Sequence, residues 1–205
     1  MMSCVHGQNC EKESLVMSLN FDEATHTYTV NGADCPSVTQ ILSDMGFIDT
    51  AWFTEYCRER GKLVHRIIHW HLAGELDEDS IDPALRPYYD AFLKFEAEAE
   101  IGIEAVEKPF ASETLRFAGT PDIIGCLNGH NAIIDIKTGA PQPWTALQLA
   151  GYEILVKHPS MERFSLQLTD EGKYKLTHHK DRQDRHIFLA ALACFQWQRN
   201  NGKGR

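Results

Sequence analysis

The chain has 205 residues, of which 43% are hydrophobic, and it carries a formal net charge of −9. This length suits one compact domain, and no run of about 18 apolar residues is present that would predict a membrane-spanning helix. The acidic balance disfavours a protein that coats nucleic acid, because lysine and arginine supply most of that binding energy.

Charge is unevenly distributed along the chain. Residues 1–110 contain 8 Lys+Arg and 20 Asp+Glu, whereas residues 161–205 contain 9 and 5. The cysteines are scattered without CxxC spacing, which favours reduced thiols in a cytoplasmic protein, and no targeting segment is apparent. We expect residues 1–20 to form a flexible terminus and 21–205 to form one domain. Cys4, His6 and Cys10 could bind a metal but lack a fourth ligand.

The first half of the chain is predicted to be mostly helical. His26–Val30 alternates like a strand and Asn31-Gly32 predicts a tight turn. Helices are predicted from the Ser37 capping box to Gly46, over 51–72 before Gly74, and from Asp82-Pro83 to about 100.

The second half predicts a small sheet with further helices. Short β-rich segments cover 103–110, 117–126 and 132–137, followed by a helix over 143–156, a hairpin of 164–168 with 174–176, and a last helix capped by Asp181 that ends near 199. We therefore predict an α/β fold with a small mixed sheet flanked by helices.

One predicted hairpin brings two carboxylates together. If Asn128-Gly129 is a two-residue turn, Asp122 lies directly opposite Asp135, and Lys137 points to the same face. Ile134 and Ile136 then face the core. Paired like charges on a sheet are destabilising without a counter-ion, so this arrangement predicts a divalent cation, with Mg²⁺ favoured by hard oxygen ligands.

These residues resemble the signature of PD-(D/E)XK nucleases, in which a Pro-Asp pair precedes an Asp-X-Lys strand. Three further motifs resemble the RecB-like branch of that family: Gly61-Lys-Leu-Val-His65, Gly119-Thr-Pro-Asp122 and Gln148-Leu-Ala-Gly-Tyr152. Segments near both ends, including His26–Gly32 and Asp170–Leu176, are similar to bacteriophage-type exonucleases. The resemblance implies a restriction-endonuclease-like core.

The resemblance also implies roles for individual residues. Asp122 and Asp135 would bind Mg²⁺ or Mn²⁺, with the Ile136 carbonyl as an added ligand. Lys137 would be the catalytic lysine. His65 and Glu107 would be further metal ligands, and Gln148 and Tyr152 would position the substrate or the lysine.

The implied function is a metal-dependent DNA nuclease, in particular an exonuclease acting on DNA ends in recombination, repair or phage genome processing. DNA is the expected partner, with phage or host recombination proteins as possible others and no membrane, in the cytoplasm of a bacterium or a phage-infected cell. The cysteine spacing needed for an iron-sulfur cluster is absent from the sequence, so we predict no cluster. The sequence does not predict an oligomeric state.

Several alternatives stay open on the sequence alone. His65 and His69 have the spacing of zinc ligands, with His71 nearby, but the intervening residues lack a general-base glutamate. An endonuclease of the same fold, or a non-catalytic nucleic-acid-binding domain, is also compatible with the motifs.

Some single residues also allow two interpretations. Gln148 and Tyr152 could be the polar edge of an amphipathic helix, and Trp52 and Trp144 are assigned to the core rather than to base stacking. The C-terminal basic residues either contact phosphates or form a solvated face; they are Lys173, Lys175, Lys180, Arg182 and Arg185.

Overall fold

The computed structural model describes residues 17–23, 25–49, 54–158 and 160–202. Within these ranges the strands are β1 (Leu19–Asp22), β2 (Thr27–Val30), β3 (Ala33–Cys35), β4 (Ile101–Val106), β5 (Phe110–Ser112), β6 (Phe117–Gly119), β7 (Ile123–Leu127), β8 (His130–Lys137), β9 (Glu162–Leu168) and β10 (Tyr174–His178). The α-helices are α1 (Val38–Asp44), α2 (Glu55–Ala73), α3 (Arg86–Glu98), α4 (Trp144–Val156) and α5 (Gln183–Asn201). Cys4, His6, Cys10 and Trp52 lie outside the described residues.

Five strands form a mixed sheet at the centre of the fold, in the order β10-β9-β8-β7-β4. β8 and β9 run parallel, and the other neighbouring pairs of this sheet run antiparallel. Helices α2 and α3 pack on one face, where Ile134 and Ile136 join their apolar cluster. Helices α1, α4 and α5 cover the other face together with Ile124 and Ile133. The predicted α/β fold with a mixed sheet between helices is confirmed.

The hairpin of β7 and β8 has the predicted register. Ile123 pairs with Ile134 and Leu127 with His130, on either side of the Asn128-Gly129 turn. Both turn residues have left-handed backbone, with φ of 50° at Asn128 and 80° at Gly129, as a tight hairpin turn requires. In one respect the prediction was wrong. β7 begins at Ile123, so Asp122 lies one residue before the ladder rather than within it.

Two of the predicted strands are each divided. The segment predicted over 103–110 forms β4, which ends at Val106, and then β5. The segment predicted over 117–126 forms β6 and β7, interrupted at Thr120-Pro121-Asp122. A proline has no N–H to donate to a strand ladder, which explains the second break. β5 and β6 pair with each other in a separate two-stranded sheet.

Helix ends follow their capping residues with some shifts. The Ser37 hydroxyl accepts the Gln40 N–H at 3.0 Å, as the predicted cap of α1 requires. Asp82 instead caps a turn, so α3 begins at Arg86 and not at residue 82. The described part of α2 begins at Glu55, after Thr54, whose hydroxyl accepts the N–H of Cys57.

The first strand lies partly outside the domain predicted from the sequence. β1 begins at Leu19, before the predicted domain boundary at residue 21.

No helix in the described ranges is both long and apolar enough to cross a lipid bilayer.

The separate sheet β1-β2-β3 packs Tyr28 and Cys35 against Ala118 of β6. This small sheet and α1 therefore lie on the side of the fold where β6 leads into Asp122.

Two helix glycines should respond in opposite ways to alanine. A Cβ at Gly151 would come within 2.9 Å of Val38 and 3.0 Å of Phe188, where α4 packs on α1 and α5. A Cβ at Gly61 would meet only Thr138 Oγ1, at 3.6 Å. We expect Gly151→Ala to lower the free energy of unfolding by about 1–3 kcal/mol. Gly61→Ala should raise it by up to about 1 kcal/mol. Urea unfolding measures both, and equal changes would contradict the described packing.

Candidate active site

The predicted site residues meet at the end of β8. Asp135 and Lys137 alternate with Ile134 and Ile136, so they share the sheet face that α4 covers. Asp122 approaches from the start of β7, and His65 reaches the same place from α2. The fold therefore brings side chains from both helical layers to one edge of the sheet.

Asp122 is fixed by contacts on its side chain and its main chain. Oδ2 accepts a hydrogen bond from the Ile136 N–H at 2.6 Å, and Oδ1 lies 3.4 Å from His65 Nδ1. The carbonyl oxygen accepts the Glu107 N–H at 2.9 Å. Burial alone would raise the pKa of this carboxyl group, but the charge of His65 and the hydrogen bonds hold it below its ordinary value. Asp122 is therefore ionised at neutral pH.

Asp135 is almost completely buried, with 2% of its surface exposed. Its Oδ2 lies 2.7 Å from Lys137 Nζ, a close ion pair whose geometry is not that of a hydrogen bond. Burial raises the pKa of Asp135 to about 6; the charge of Lys137 opposes this rise and the charge of Asp122 adds to it. The two carboxylates thus have opposite pKa shifts, as expected when like charges share one buried site.

Lys137 is held from the other side by α4. Its Nζ donates to Gln148 Oε1 at 3.0 Å, and Gln148 Nε2 donates to the Tyr152 hydroxyl at 3.0 Å. Gln148 and Tyr152 are each 6% exposed. They are one helical turn apart and face the lysine, so the alternative of a polar helix edge was wrong.

His65 lies between Asp122 and β8. Its Nε2 is 3.0 Å from the Ile136 carbonyl oxygen, and its Nδ1 faces Asp122. Burial lowers the pKa of His65, but the Asp122 carboxylate outweighs this effect and the pKa rises to about 9. A protonated imidazole donates from both nitrogens, so it can serve both oxygen acceptors at once.

Glu107 stands beside this group. It follows β4 rather than lying on it, in a left-handed conformation with φ of 46°. Burial raises the pKa of its carboxyl group, and the charge of Asp122 raises it further. The structure therefore brings Glu107 close to Asp122, as the prediction required, although by a turn instead of a strand.

Gly119 has a packing reason to be glycine. A Cβ at this position would come within 2.8 Å of the Tyr152 ring and 3.1 Å of Val38. The first residue of the segment Gly119-Thr-Pro-Asp122 thus leaves room for the ring that contacts Gln148. This glycine links the two motifs in space.

The oxygen donors suit a hard divalent cation. The carboxylates of Asp122 and Asp135 and the Ile136 carbonyl supply oxygen ligands, and the buried Asp135 Oδ2 lies 2.7 Å from the Lys137 ammonium group. Across the described residues, no three His, Cys, Asp or Glu side chains converge as a metal-binding group. A cation here would therefore take further ligands from the Ile136 carbonyl, water or a phosphate.

The zinc alternative lacks its ligands in the described part of the chain. Among the described residues, no group of three His, Cys, Asp or Glu side chains that could bind a metal includes both His65 and His69. His71 is used in packing, since Nε2 is 2.9 Å from Glu96 Oε2 and Nδ1 is 2.9 Å from the Tyr89 hydroxyl.

Trp144 belongs to the site, although the sequence analysis assigned it to the core. Its ring centroid is 5.2 Å from Lys137 Nζ, and the side chain is only half-buried. A signal was present in the sequence: Trp144 precedes Gln148 and Tyr152 by four and eight residues, so all three share one helix face. Arg60 was also missed; its guanidinium donates to the Thr138 carbonyl at 3.0 Å.

Comparisons with known proteins show a likeness in fold. No protein-family model matches the chain, and no curated protein matches it. A candidate exonuclease from Eubacterium rectale is similar with a TM-score of 0.53 and 14% identity, over 82% of this chain and 82% of that chain. The alkaline exonuclease LHK-Exo from Laribacter hongkongensis gives a TM-score of 0.37 at 18% identity, over 80% and 91%.

A structure of LHK-Exo in complex with dAMP gives a TM-score of 0.48 at 14% identity, over 80% of this chain and 87% of that chain. The predicted α/β architecture is confirmed, since the chain shares the fold of the Eubacterium rectale structure.

Asp135 should make the stability of the metal-free protein depend on pH. Folding raises its pKa from 3.8 to about 6, so its stabilising contribution is complete below pH 3.8 and is lost as the pH rises through 6. Asp135→Asn removes this titration. We expect the variant to gain stability relative to the wild type between pH 5 and 8, by about 1–1.5 kcal/mol. Urea unfolding in EDTA measures the difference, and a constant difference across this range would show the assignment to be wrong.

Proposed function

We propose that this protein is a divalent-metal-dependent deoxyribonuclease that hydrolyses phosphodiester bonds, chiefly from DNA ends. The observation that carries the proposal is the convergence of Asp122, Asp135 and Lys137 at the end of one strand. Two buried carboxylates with opposite pKa shifts are costly for a fold and are typical of sites kept for chemistry.

Mg²⁺ or Mn²⁺ is the cation that these donors suit. Asp122, Asp135 and the Ile136 carbonyl would hold it, with water or a phosphate completing the ligand set. Among the described residues, His65 and Glu107 do not join the two aspartates as one metal-binding group, so His65 would act beside the cation as a hydrogen-bond donor. When bound, the cation supplies Lewis acidity to the phosphate and lowers the pKa of the attacking water.

Lys137 has a separate task in this proposal. Its ammonium group is aimed by Asp135 on one side and Gln148 on the other. From there it would orient the nucleophile or stabilise the negative charge that develops on the phosphoryl oxygens in the transition state. Gln148 and Tyr152 act as positioning residues, because their mutual hydrogen bond fixes which amide atom faces the lysine.

The preference for DNA ends is supported by the resemblance to bacteriophage-type exonucleases. The name of the Eubacterium rectale structure, a candidate exonuclease, agrees with it. Such an enzyme would take part in recombination, repair or phage genome processing, alongside recombination proteins of the phage or the host.

Linear and circular DNA distinguish the possible activities. With Mg²⁺, we expect the wild type to degrade linear DNA and to leave a circular single strand intact. Lys137→Ala should lower the rate about 100- to 1,000-fold, because it removes a preorganised charge from the transition state. Release of acid-soluble nucleotides measures both effects.

Two controls make the result specific. Lys180→Ala, an exposed lysine beyond the end of β10 that is farther from Lys137, should keep full activity. Lys137→Ala should still gain thermal stability from Mn²⁺, because the carboxylates are intact. Full activity in Lys137→Ala, or no Mg²⁺-dependent cleavage by the wild type, would contradict a nuclease; cleavage of the circle would indicate an endonuclease.

Trp144 should affect turnover more than substrate affinity. Its ring lies over the Lys137 ammonium group, and a cation–π contact in a half-buried site contributes roughly 1 kcal/mol. We expect Trp144→Leu to lower kcat about tenfold with little change in KM, and Trp144→Phe to recover most of the loss. Steady-state kinetics on a short linear duplex measures the split. If Trp144→Leu and Trp144→Phe lower kcat equally, the size of the tryptophan ring matters and the cation–π contact does not.

A further inference from the structure

Helix α2 has a high share of positive charge for the part of the chain in which it lies. Residues 1–110 contain 8 Lys+Arg against 20 Asp+Glu. Four of those cations are on α2, namely Arg58, Arg60, Lys62 and Arg66. The same helix contributes His65 to the candidate active site.

Three of these cations form a stripe along α2. Arg58, Lys62 and Arg66 are spaced by four residues, and Trp70 continues the same spacing. We call these four residues the basic stripe. All four are exposed: the Lys62 side chain is 70% exposed and Trp70 is 41% exposed.

The basic stripe is on α2 next to the row of residues that reaches the candidate active site. The adjacent row of α2 contains Gly61, which lies against Thr138, and His65, which contacts Asp122. Lys62 and Arg66 each follow a residue of that row, Gly61 and His65, by one position. One position is a rotation of about 100° around the helix axis, so the stripe is the neighbouring row on the helix surface.

Lys62 and Arg66 of the stripe are exposed and make only surface contacts among those described. Lys62 pairs with Glu59 at 2.8 Å, an exposed pair that contributes little to stability and can be replaced by a phosphate. The Arg66 guanidinium lies 5.9 Å from the Trp70 ring. Arg60 differs, because it donates to the Thr138 carbonyl and lies against the ring of buried Tyr88.

We propose that the basic stripe binds the sugar–phosphate backbone of a DNA strand beside the active site, with Trp70 stacking on an unpaired base. This inference rests on the proposed nuclease function and adds the path of the strand. Arg58 to Arg66 spans about 12 Å along the helix, enough for about two or three phosphates of an extended single strand. An exposed aromatic ring in line with cations is the usual arrangement for single-stranded DNA.

The C-terminal basic residues are a weaker candidate for the same role. Lys173 pairs with Glu171 at 2.6 Å, and Arg185 lies 3.7 Å from Glu153.

Lys175 lies on β10, the edge strand, and is only two strands away from Lys137, because Gln167 of β9 pairs with both residues. Lys180 and Arg182 follow the other end of β10 and are exposed, so they are a suitable control of equal charge.

Salt-dependent binding tests the proposal. A labelled single-stranded oligonucleotide is titrated by anisotropy with Lys137→Ala protein and Mg²⁺, from 50 to 200 mM NaCl. Adding Lys62→Ala and Arg66→Ala should weaken binding at least tenfold and flatten the log–log salt slope by about 1.4. Lys180→Ala with Arg182→Ala, which removes the same charge, should leave the slope unchanged. All variants are exposed-site changes, so melting temperatures confirm folding.

A third variant separates stacking from charge. Trp70→Leu should weaken binding of the single strand about tenfold, leave the salt slope unchanged and spare a blunt duplex. Equal slopes in the two double variants, or an unchanged affinity in the Lys62/Arg66 variant, would overturn the proposal. Cleavage by the wild type is measured separately. If binding depends on the stripe but the wild type shows no Mg²⁺-dependent cleavage, the proposed nuclease function is refuted and the proposed DNA-binding surface is kept.

Discussion

The pairing of β7 with β8 is the constraint on which the site depends. Because side chains alternate along a strand, the register that buries Ile134 and Ile136 under α2 and α3 also turns Asp135 towards α4. A slip of one residue would exchange the two faces and place the carboxylate in the apolar cluster. The free energy that holds the site together is therefore supplied by isoleucine packing, not by the polar residues themselves.

The polar residues offset a cost that this packing creates. Asp135 is buried beside a second carboxylate, which folding penalises, as its raised pKa indicates. Lys137 and His65 supply compensating charge from opposite sides, one on the same strand and one on α2. The helices of both layers thus meet where the sheet ends: α2 contributes His65, and α4 holds Lys137 through Gln148. A site arranged in this way is unstable unless both layers are in place.

The register could be predicted because it depends on local features, a tight Asn128-Gly129 turn between β-branched runs. The break at Pro121 could also have been predicted, because proline has no N–H to donate to a strand ladder. The strand over 117–126 was instead predicted from the strand propensity of the residues around it. The position of His65 against the Ile136 carbonyl could not be derived from local sequence, because it depends on how α2 crosses the end of β8. Trp144 was missed because the general burial of tryptophan outweighed its spacing from Gln148.

Net charge is a poor guide to the proposed DNA partner for a related physical reason. At physiological ionic strength, charges separated by more than about 8 Å are largely screened, so a phosphate responds to nearby side chains and not to the total of −9. Around the end of β8 the nearby cations are Lys137 and the α2 residues, whereas many acidic side chains lie elsewhere, such as Glu78 beside Arg86. An acidic protein can therefore present cations close to a carboxylate site, and a divalent cation there would neutralise the two carboxylates that a phosphate must approach.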